Sequence, residues 1–311
     1  MRWPHFLILC VIAGSATNCA PPASLQNKAT CNIDHSERLA WAEWTPDMDV
    51  EGAAIFTYQG CGKRLDFVAT SHTNDPNSDT FKAVRQAAAF KPEAILIEGV
   101  PADYGPSLPQ LSQMAAQADG TPSDTEAMLS VRLAESNAIP FQGAEPLDTE
   151  IVALVKDQGL SPLDLIGFYT LRQLPQIQRA GEVGGPNDPR MERVLADTAR
   201  YFATEIGETE DFAGPLTTLE GFSAWYHAFN DESFAEDFDA RDVYPSAGVD
   251  TPRASNRASD IVADARDAFI LEQIETALNA YDHVVIVYGG SHHSVQRSAL
   301  EAAFGTAAQT F

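Results

Sequence analysis

His283-Val284-Val285-Ile286-Val287-Tyr288-Gly289-Gly290-Ser291-His292-His293 is the stretch on which the fold turns. Its apolar run is unbroken, β-branched and short, which describes a strand covered on both faces. Two glycines end it, and a helix is expected over 294–304. Upstream, Ile261, Ala265, Ala268, Phe269, Ile274 and Leu278 recur at near-helical spacing, which predicts a helix over 260–280. A buried strand between two helices is the unit of an α/β sheet.

Other segments extend that unit. Ala94-Ile95-Leu96-Ile97 is a second continuous apolar run. It follows a helix predicted over 79–90, with Asp79 as its cap and Lys91-Pro92 as its stop. The β-prone runs 53–58 and 65–71 flank Gly60-Cys61-Gly62-Lys63, the turn chemistry of a hairpin. Ser123 followed by Glu126 has the spacing of a helix start, predicting a helix over 123–137. Ile139-Pro140-Phe141-Gln142 reads as a short strand. The character then changes: 147–159, 162–180, 188–206 and 216–230 all read as helices, and 231–252 as acidic, aromatic loop. The expected architecture is α/β: a central, mostly parallel sheet with an edge hairpin, flanking helices, and a helical insertion or cap at about 150–250. One domain is expected over 51–306.

The N-terminus is read separately. Met1-Arg2 and the apolar run Phe6-Leu7-Ile8-Leu9-Cys10-Val11-Ile12-Ala13 have the form of a secretory signal, too short to span a membrane. A signal peptide over 1–18 is therefore expected. Gly14-Ser15-Ala16 fits ordinary signal peptidase, whereas Ala16-Thr17-Asn18-Cys19 resembles a bacterial lipobox with Cys19 lipidated. Residues 19–50, beginning Ala20-Pro21-Pro22-Ala23-Ser24 after the cysteine, suit a tether and loop-rich lead-in. The expected location is the periplasm or, as a lipoprotein, the outer membrane. Cys31 and Cys61 then remain as an even pair for an oxidising compartment, a disulfide or two free buried thiols.

Composition narrows the partners. The 311 residues are 44% hydrophobic, enough for a core, and carry 44 Asp and Glu against 20 Lys and Arg, a formal net charge of -24. Nucleic-acid binding needs clustered Lys and Arg, so it is not expected as a main task. A membrane is expected to matter only through a lipid anchor.

Four apolar runs end in residues able to ligate a metal or move a proton: 65–71 leads to His72, 94–97 to Glu98, 139–144 to Glu145, and 284–291 to His292 and His293. Ligands of open α/β sheets bind outside the carboxyl ends of the strands, so parallel strands would bring these residues to one edge. Two imidazoles and two carboxylates suit a divalent metal such as Zn, Mn or Co, or hydrolytic proton transfer. The plain alternative is that turns after strands are polar. His72 is expected as metal ligand or general base. Glu98 is expected as a ligand or as the carboxylate orienting His72. His292 is the second ligand, near a helix N-terminus that disfavours positive charge. Its neighbour His293 points elsewhere, as a surface or supporting residue. Arg266 would stabilise an oxyanion or clamp a carboxylate, or else pair with Asp264 or Asp267. His227 belongs to packing, while Trp225 and Tyr226 are candidates for substrate contact from a cap helix.

Ala69-Thr70-Ser71-His72 and Gly289-Gly290-Ser291-His292 share the form small-x-x-His near the two ends of the domain. Together with Ile95-Leu96-Ile97-Glu98 and with Arg266-Asp267 opening the helix before the second motif, they resemble the TraB/Tiki superfamily, which also takes in erythromycin-esterase-like and ChaN-like proteins. The resemblance spans about 53–304 through short motifs. It implies an α/β domain with the two His, the Glu and the Arg in one pocket. It also implies metal-dependent peptidase or His-based hydrolase activity on a peptide or small-molecule substrate, or else haem binding by a non-catalytic lipoprotein.

Overall fold

The computed structural model describes residues 30–102, 109–121, 124–179, 181, 183–185, 187–234 and 240–311. The expected signal segment 1–18 and the lipidation site Cys19 lie outside these residues. Among the described residues no helix is long and apolar enough to cross a membrane.

The chain forms an α/β fold around a six-stranded sheet of order β4-β3-β5-β2-β1-β6. Strands β1 (Ala54–Gly60) and β2 (Lys63–Thr70) make the expected edge hairpin. Cys61 and Gly62 between them both have positive φ, 52° and 70°, as a two-residue turn matched to strand twist requires. Strands β3 (Ala94–Pro101), β4 (Phe141–Glu145) and β5 (His283–Gly289) run parallel with β2. Strand β6 (Ala308–Thr310) adds a short antiparallel edge that the sequence did not announce.

Period-2 alternation splits the strand side chains between two cores. Phe67, Leu96, Val284, Ile286 and Tyr288 face helices α8 (Ala254–Ala280) and α9 (Gly290–Phe304). Val68, Ile95, Ile97, Val285 and Val287 face α1 (Asp79–Ala89), α2 (Pro109–Ala118) and α3 (Glu126–Ser136). This two-sided burial is why β5 reads as a continuous apolar run. Between β4 and α8 stand α4 (Asp148–Lys156), α5 (Pro162–Arg179), α6 (Met191–Glu205) and α7 (Leu219–Asn230), which pack on a third core containing Leu165, Phe168, Leu195 and Phe222. Trp225 and Tyr226, expected to meet substrate, are 8% and 0% exposed in that core; Trp225 Nε1 donates to Asp164. His227, expected to pack, is instead exposed, its Nδ1 bonded to Glu232 O at 3.3 Å.

Several boundaries moved for local reasons. Helix α1 is capped by Ser78, whose hydroxyl accepts from Phe81 N, instead of by Asp79. Helix α9 starts at Gly290, one turn before the expected 294, so His292 and His293 both lie in its first turn. Helix α8 starts at Ala254, which puts Arg266 in its middle instead of at its opening.

The lead-in is loop-rich but docked from residue 31 onward. Cys31 N donates to Asn279 and Ile33 N to Glu275 on α8, and Leu39 N bonds Val295 O on α9. Trp41 and Trp44 are buried there. Cys31 and Cys61 are free thiols, one buried and one exposed, near enough that Cys61 helps to raise the Cys31 thiol. The disulfide expected between them is not formed in the structure, although the pair is brought together.

Candidate active site

The four parallel strands end on one edge in the order β4, β3, β5, β2, and each delivers one of the predicted residues. Glu145 is the last residue of β4, Glu98 lies in β3, Gly289 ends β5 just before His292, and His72 follows β2 by two residues. Pairing of β3 with β4 jumps from Ile97↔Gly143 to Pro101↔Glu145, so Glu98-Gly99-Val100 bulges out. A bulge re-aims a side chain. Gly99, at φ 73°, supplies the turn, and Glu98 Oε2 accepts from Gly289 N at 2.6 Å on the neighbouring strand.

His72 stands at the exposed mouth, its ring 67% accessible. Its Nδ1 donates to Glu126 Oε1 at 2.5 Å, and its Nε2 lies 3.8 Å from Glu98 Oε1. The hydrogen bond to Glu126, then the charge of Glu98, push the imidazole up to about 9, an effect that solvent at so exposed a ring weakens. Glu126 is buried, and its Oε2 has no partner among the described residues. The sequence reads Glu126 as part of a helix start; in the structure Thr125 caps α3 and Glu126 is released to hold His72.

His292 is buried and fixed from behind. Its Nδ1 donates to both oxygens of Asp267, at 3.0 and 3.1 Å, leaving Nε2 free. Asp267 is fully buried and also accepts from Trp41 Nε1 and Gln296 Nε2. The rings of Trp41 and Tyr288 meet the imidazole edge-on at 5.0 and 4.8 Å. Glu98 is adjacent: a Cβ built on Gly289 would lie 3.6 Å from His292 Cδ2 and 3.5 Å from Glu98 Oε2. His293 turns the opposite way, stacked on Phe56 at 3.8 Å and bonded to Tyr58 OH at 2.9 Å. It is a core residue, not a surface one, and burial pushes it down to about 3.

Arg266 joins the same group of residues. Its Nε and Nη2 bind Glu145 Oε2 and Oε1 at 2.9 and 2.6 Å, and Nη2 also lies 3.0 Å from Tyr288 OH and 3.4 Å from Glu98 Oε1. Asp264 and Asp267 are engaged elsewhere, by Arg38 and His292. Glu145, expected among the metal ligands, has other partners: both its oxygens are taken by Arg266, and Oε1 also accepts from Tyr288 OH. Burial alone would push its carboxyl up, but the guanidinium holds it well below the usual carboxylate range.

The insertion adds a rim. Asp148, three residues past Glu145, is pushed up to about 6 by burial and by the charges of Glu205 and Glu145. Tyr169 and Arg172 of α5 lie within electrostatic reach of Arg266 and Glu145. The sequence missed Glu126, Asp267 and Tyr288. Tyr288 was recoverable, because it shares strand parity with Val284 and Ile286 and so faces the helix bearing Arg266.

The chemistry on offer is two imidazoles, each held at Nδ1 by a carboxylate, with Glu98 3.8 Å from His72 Nε2 and bonded to Gly289 N, three residues before His292. That is how ligating or proton-transferring histidines are oriented. Among the described residues no three His, Cys, Asp or Glu side chains are close enough to hold a metal ion. As arranged, the donors have the right chemistry for a divalent metal but do not enclose one. No protein-family model, curated protein or solved structure matches this chain.

Proposed function

We propose that this chain is an exported hydrolase of amide or ester bonds, with its cleft at the carboxyl edge of the sheet. One observation carries the proposal: His72, Glu98, Arg266 and His292 come from four separate segments and meet at that edge, each imidazole backed by its own carboxylate. Two histidines in different surroundings suit opposite halves of an acid–base pair. The Asp267–His292 pair, with Nε2 free, takes the proton from water. His72, kept protonated by Glu126 and Glu98, returns a proton to the leaving group. This reverses the base role expected of His72 from the sequence, because two carboxylates favour its charged form. The positive charge of Arg266, held in place by Glu145 and Tyr288, offsets the charge that develops on the scissile carbonyl. His72, Glu98 and His292 are the residues that would hold a Zn, Mn or Co ion, which would lower the pKa of a bound water.

The test uses purified protein, metal analysis without chelator, and a library of esters and short peptides assayed with and without chelator. Turnover that falls by roughly 100-fold or more in His72→Ala, Glu98→Ala and His292→Ala is expected. Turnover unchanged in all three would sink the assignment. A Soret band on haem addition, lost in His72→Ala or His292→Ala, with no turnover, would replace the hydrolase with the haem-binding lipoprotein. Mass spectrometry of the mature N-terminus reads signal cleavage and any lipid on Cys19.

A further inference from the structure

Helix α8 carries a polar stripe, and the lead-in engages every member of it. Asp264, Asp267, Glu275 and Asn279 recur at helical spacing, which puts them on one face. Arg38 Nη1 donates to Asp264 Oδ1 at 2.5 Å, and Trp41 Nε1 to Asp267 Oδ2 at 2.5 Å. Ile33 N donates to Glu275 Oε2 and Cys31 N to Asn279 Oδ1, both at 3.1 Å. Helix α9 adds Val295 O, which accepts from Leu39 N at 2.9 Å, and Ser298 Oγ, which donates to Glu37 O. Of these contacts, the one made by Trp41 enters the candidate site.

Asp267 is fully buried and accepts from three side chains. His292 Nδ1 lies 3.0 and 3.1 Å from its two oxygens, Gln296 Nε2 donates to Oδ1, and Trp41 Nε1 donates to Oδ2. His292 and Gln296 are one turn apart on α9, so they approach from a single element. Trp41 is the donor from outside the domain expected over 51–306. With Gln296 on one oxygen and the indole on the other, the carboxylate is fixed in rotation, and the imidazole faces both oxygens almost equally. The buried Trp41 ring also covers the imidazole edge-on at 5.0 Å. Without the indole N–H, Oδ2 would keep His292 as its one donor. A buried carboxylate oxygen short of a donor is costly, and rotation of the carboxylate or entry of water relieves that cost. Either one loosens the imidazole.

We propose that Trp41 is a positioning residue, through which the lead-in completes the site: it holds Asp267, and through Asp267 it holds His292, in one orientation. It acts behind the imidazole and not on the reacting bond. The inference rests on the hydrolase reading only in calling His292 the base. Trp44 supplies the control. It lies 5.3 Å from Trp41 in the same segment, but its Nε1 donates at 2.9 Å to Asp49 Oδ1, inside the lead-in.

Proton exchange tests it without a substrate. NMR of chelator-treated protein with isotope-labelled histidine and tryptophan follows the His292 Nδ1 proton and the indole protons. In Trp41→Phe, which keeps a ring and loses the N–H, the Nδ1 proton should exchange at least about tenfold faster, as loss of a hydrogen bond to a charged group implies. Trp44→Phe should leave it within error, and thermal midpoints confirm that both variants fold. Unchanged exchange in Trp41→Phe overturns the proposal. So does an equal acceleration in Trp44→Phe, which would make the effect one of the segment and not of the indole. The wild-type protein is a test by itself: a Trp41 indole proton exchanging more than about tenfold faster than the Nδ1 proton would mean that the cage holds without it. With a substrate in hand, kcat should fall at least about tenfold in Trp41→Phe at unchanged KM, and a rise in KM alone would contradict positioning. Should the wild-type protein hydrolyse nothing, the hydrolase reading falls and the exchange rates still decide the role of Trp41.

Discussion

At the scale of single residues, the site is a set of charges whose pairing decides what each can do. Glu126 is a positioning residue: it touches His72, not the bond to be broken. Removing its charge in Glu126→Gln should lower turnover by roughly 10–100-fold, as loss of a carboxylate behind an imidazole does. The same change should bring the His72 titration down from about 9 toward 6.5 in chelator-treated protein, followed by NMR. An unmoved titration would show that Glu126 serves only the fold. Asp148 supplies a pH signature of the opposite kind. Its carboxyl is raised from 3.8 to about 6, so between those values the folded protein binds a proton that the unfolded chain does not. Stability therefore falls as pH rises through that window, and the cost is complete above about 6. Asp148→Asn should stabilise the protein at pH 7.5 by about 1–2 kcal/mol, allowing for solvent screening, and change little at pH 4. Denaturant midpoints at the two pH values check this, and equal effects at both would refute it.

At the scale of elements, the bulge in β3 makes Glu98 available, and it is possible only because β4 gives way beneath it. A Cβ on Gly143 would sit 2.0 Å from Pro101 O and 2.2 Å from Val100 O. Gly143→Ala must therefore push the bulge outward, at a cost of about 1–3 kcal/mol, and carry Glu98 off Gly289 N. A lower thermal midpoint together with lost turnover is expected. Gly214→Ala, where an added Cβ meets nothing within 4 Å, should leave both within error. The sequence conveyed much of this scale. The β5 run, the hairpin glycine, the helix starts and the polar residue after each strand are local signals, and local periodicity reports them. It did not convey the bulge, which depends on a glycine 44 residues after Gly99. Helix α2, PQLSQMAAQA, also escaped, since its buried face is made mostly of alanine, Ala115 and Ala118 beside Leu111, which gives a weak apolar signal. The contacts of the site itself are non-local: Glu126 lies 54 positions from His72, and Arg266 lies 168 from Glu98. Strand ends could nominate the residues, but only the packing of α3 and α8 on opposite faces of the sheet could pair them.

At the scale of the whole molecule, the lead-in belongs to the unit that builds the candidate site. Residues from Cys31 to Asp49 lie over α8 and α9, and Trp41 closes the Asp267 cage that fixes His292. Whatever holds this segment down therefore acts on the site. Cys31 is fully buried, and its thiol is pushed up to about 12 by burial, then by the neighbouring Cys61, so it is a poor nucleophile on its own. Cys61, exposed at the hairpin turn, is the thiol an oxidant reaches first. A peroxide-type two-electron oxidant converts the Cys61 thiol to a sulfenic acid; attack by the Cys31 sulfur breaks its S–O bond, releases water and closes a covalent link between the lead-in and the β1–β2 turn. In the oxidising compartment proposed for this chain, a disulfide across that loop should add roughly 2–4 kcal/mol. Protein recovered under oxidising conditions should be lighter by two hydrogens, resist alkylation, and melt higher than after reduction. The Cys31→Ser/Cys61→Ser double variant should melt at the reduced value whatever the redox state, with His292-dependent turnover lost at a lower temperature than in the oxidised protein. Two alkylatable thiols in protein secreted and purified without reductant would break this account, and the lead-in would then be held by α8 and α9 alone.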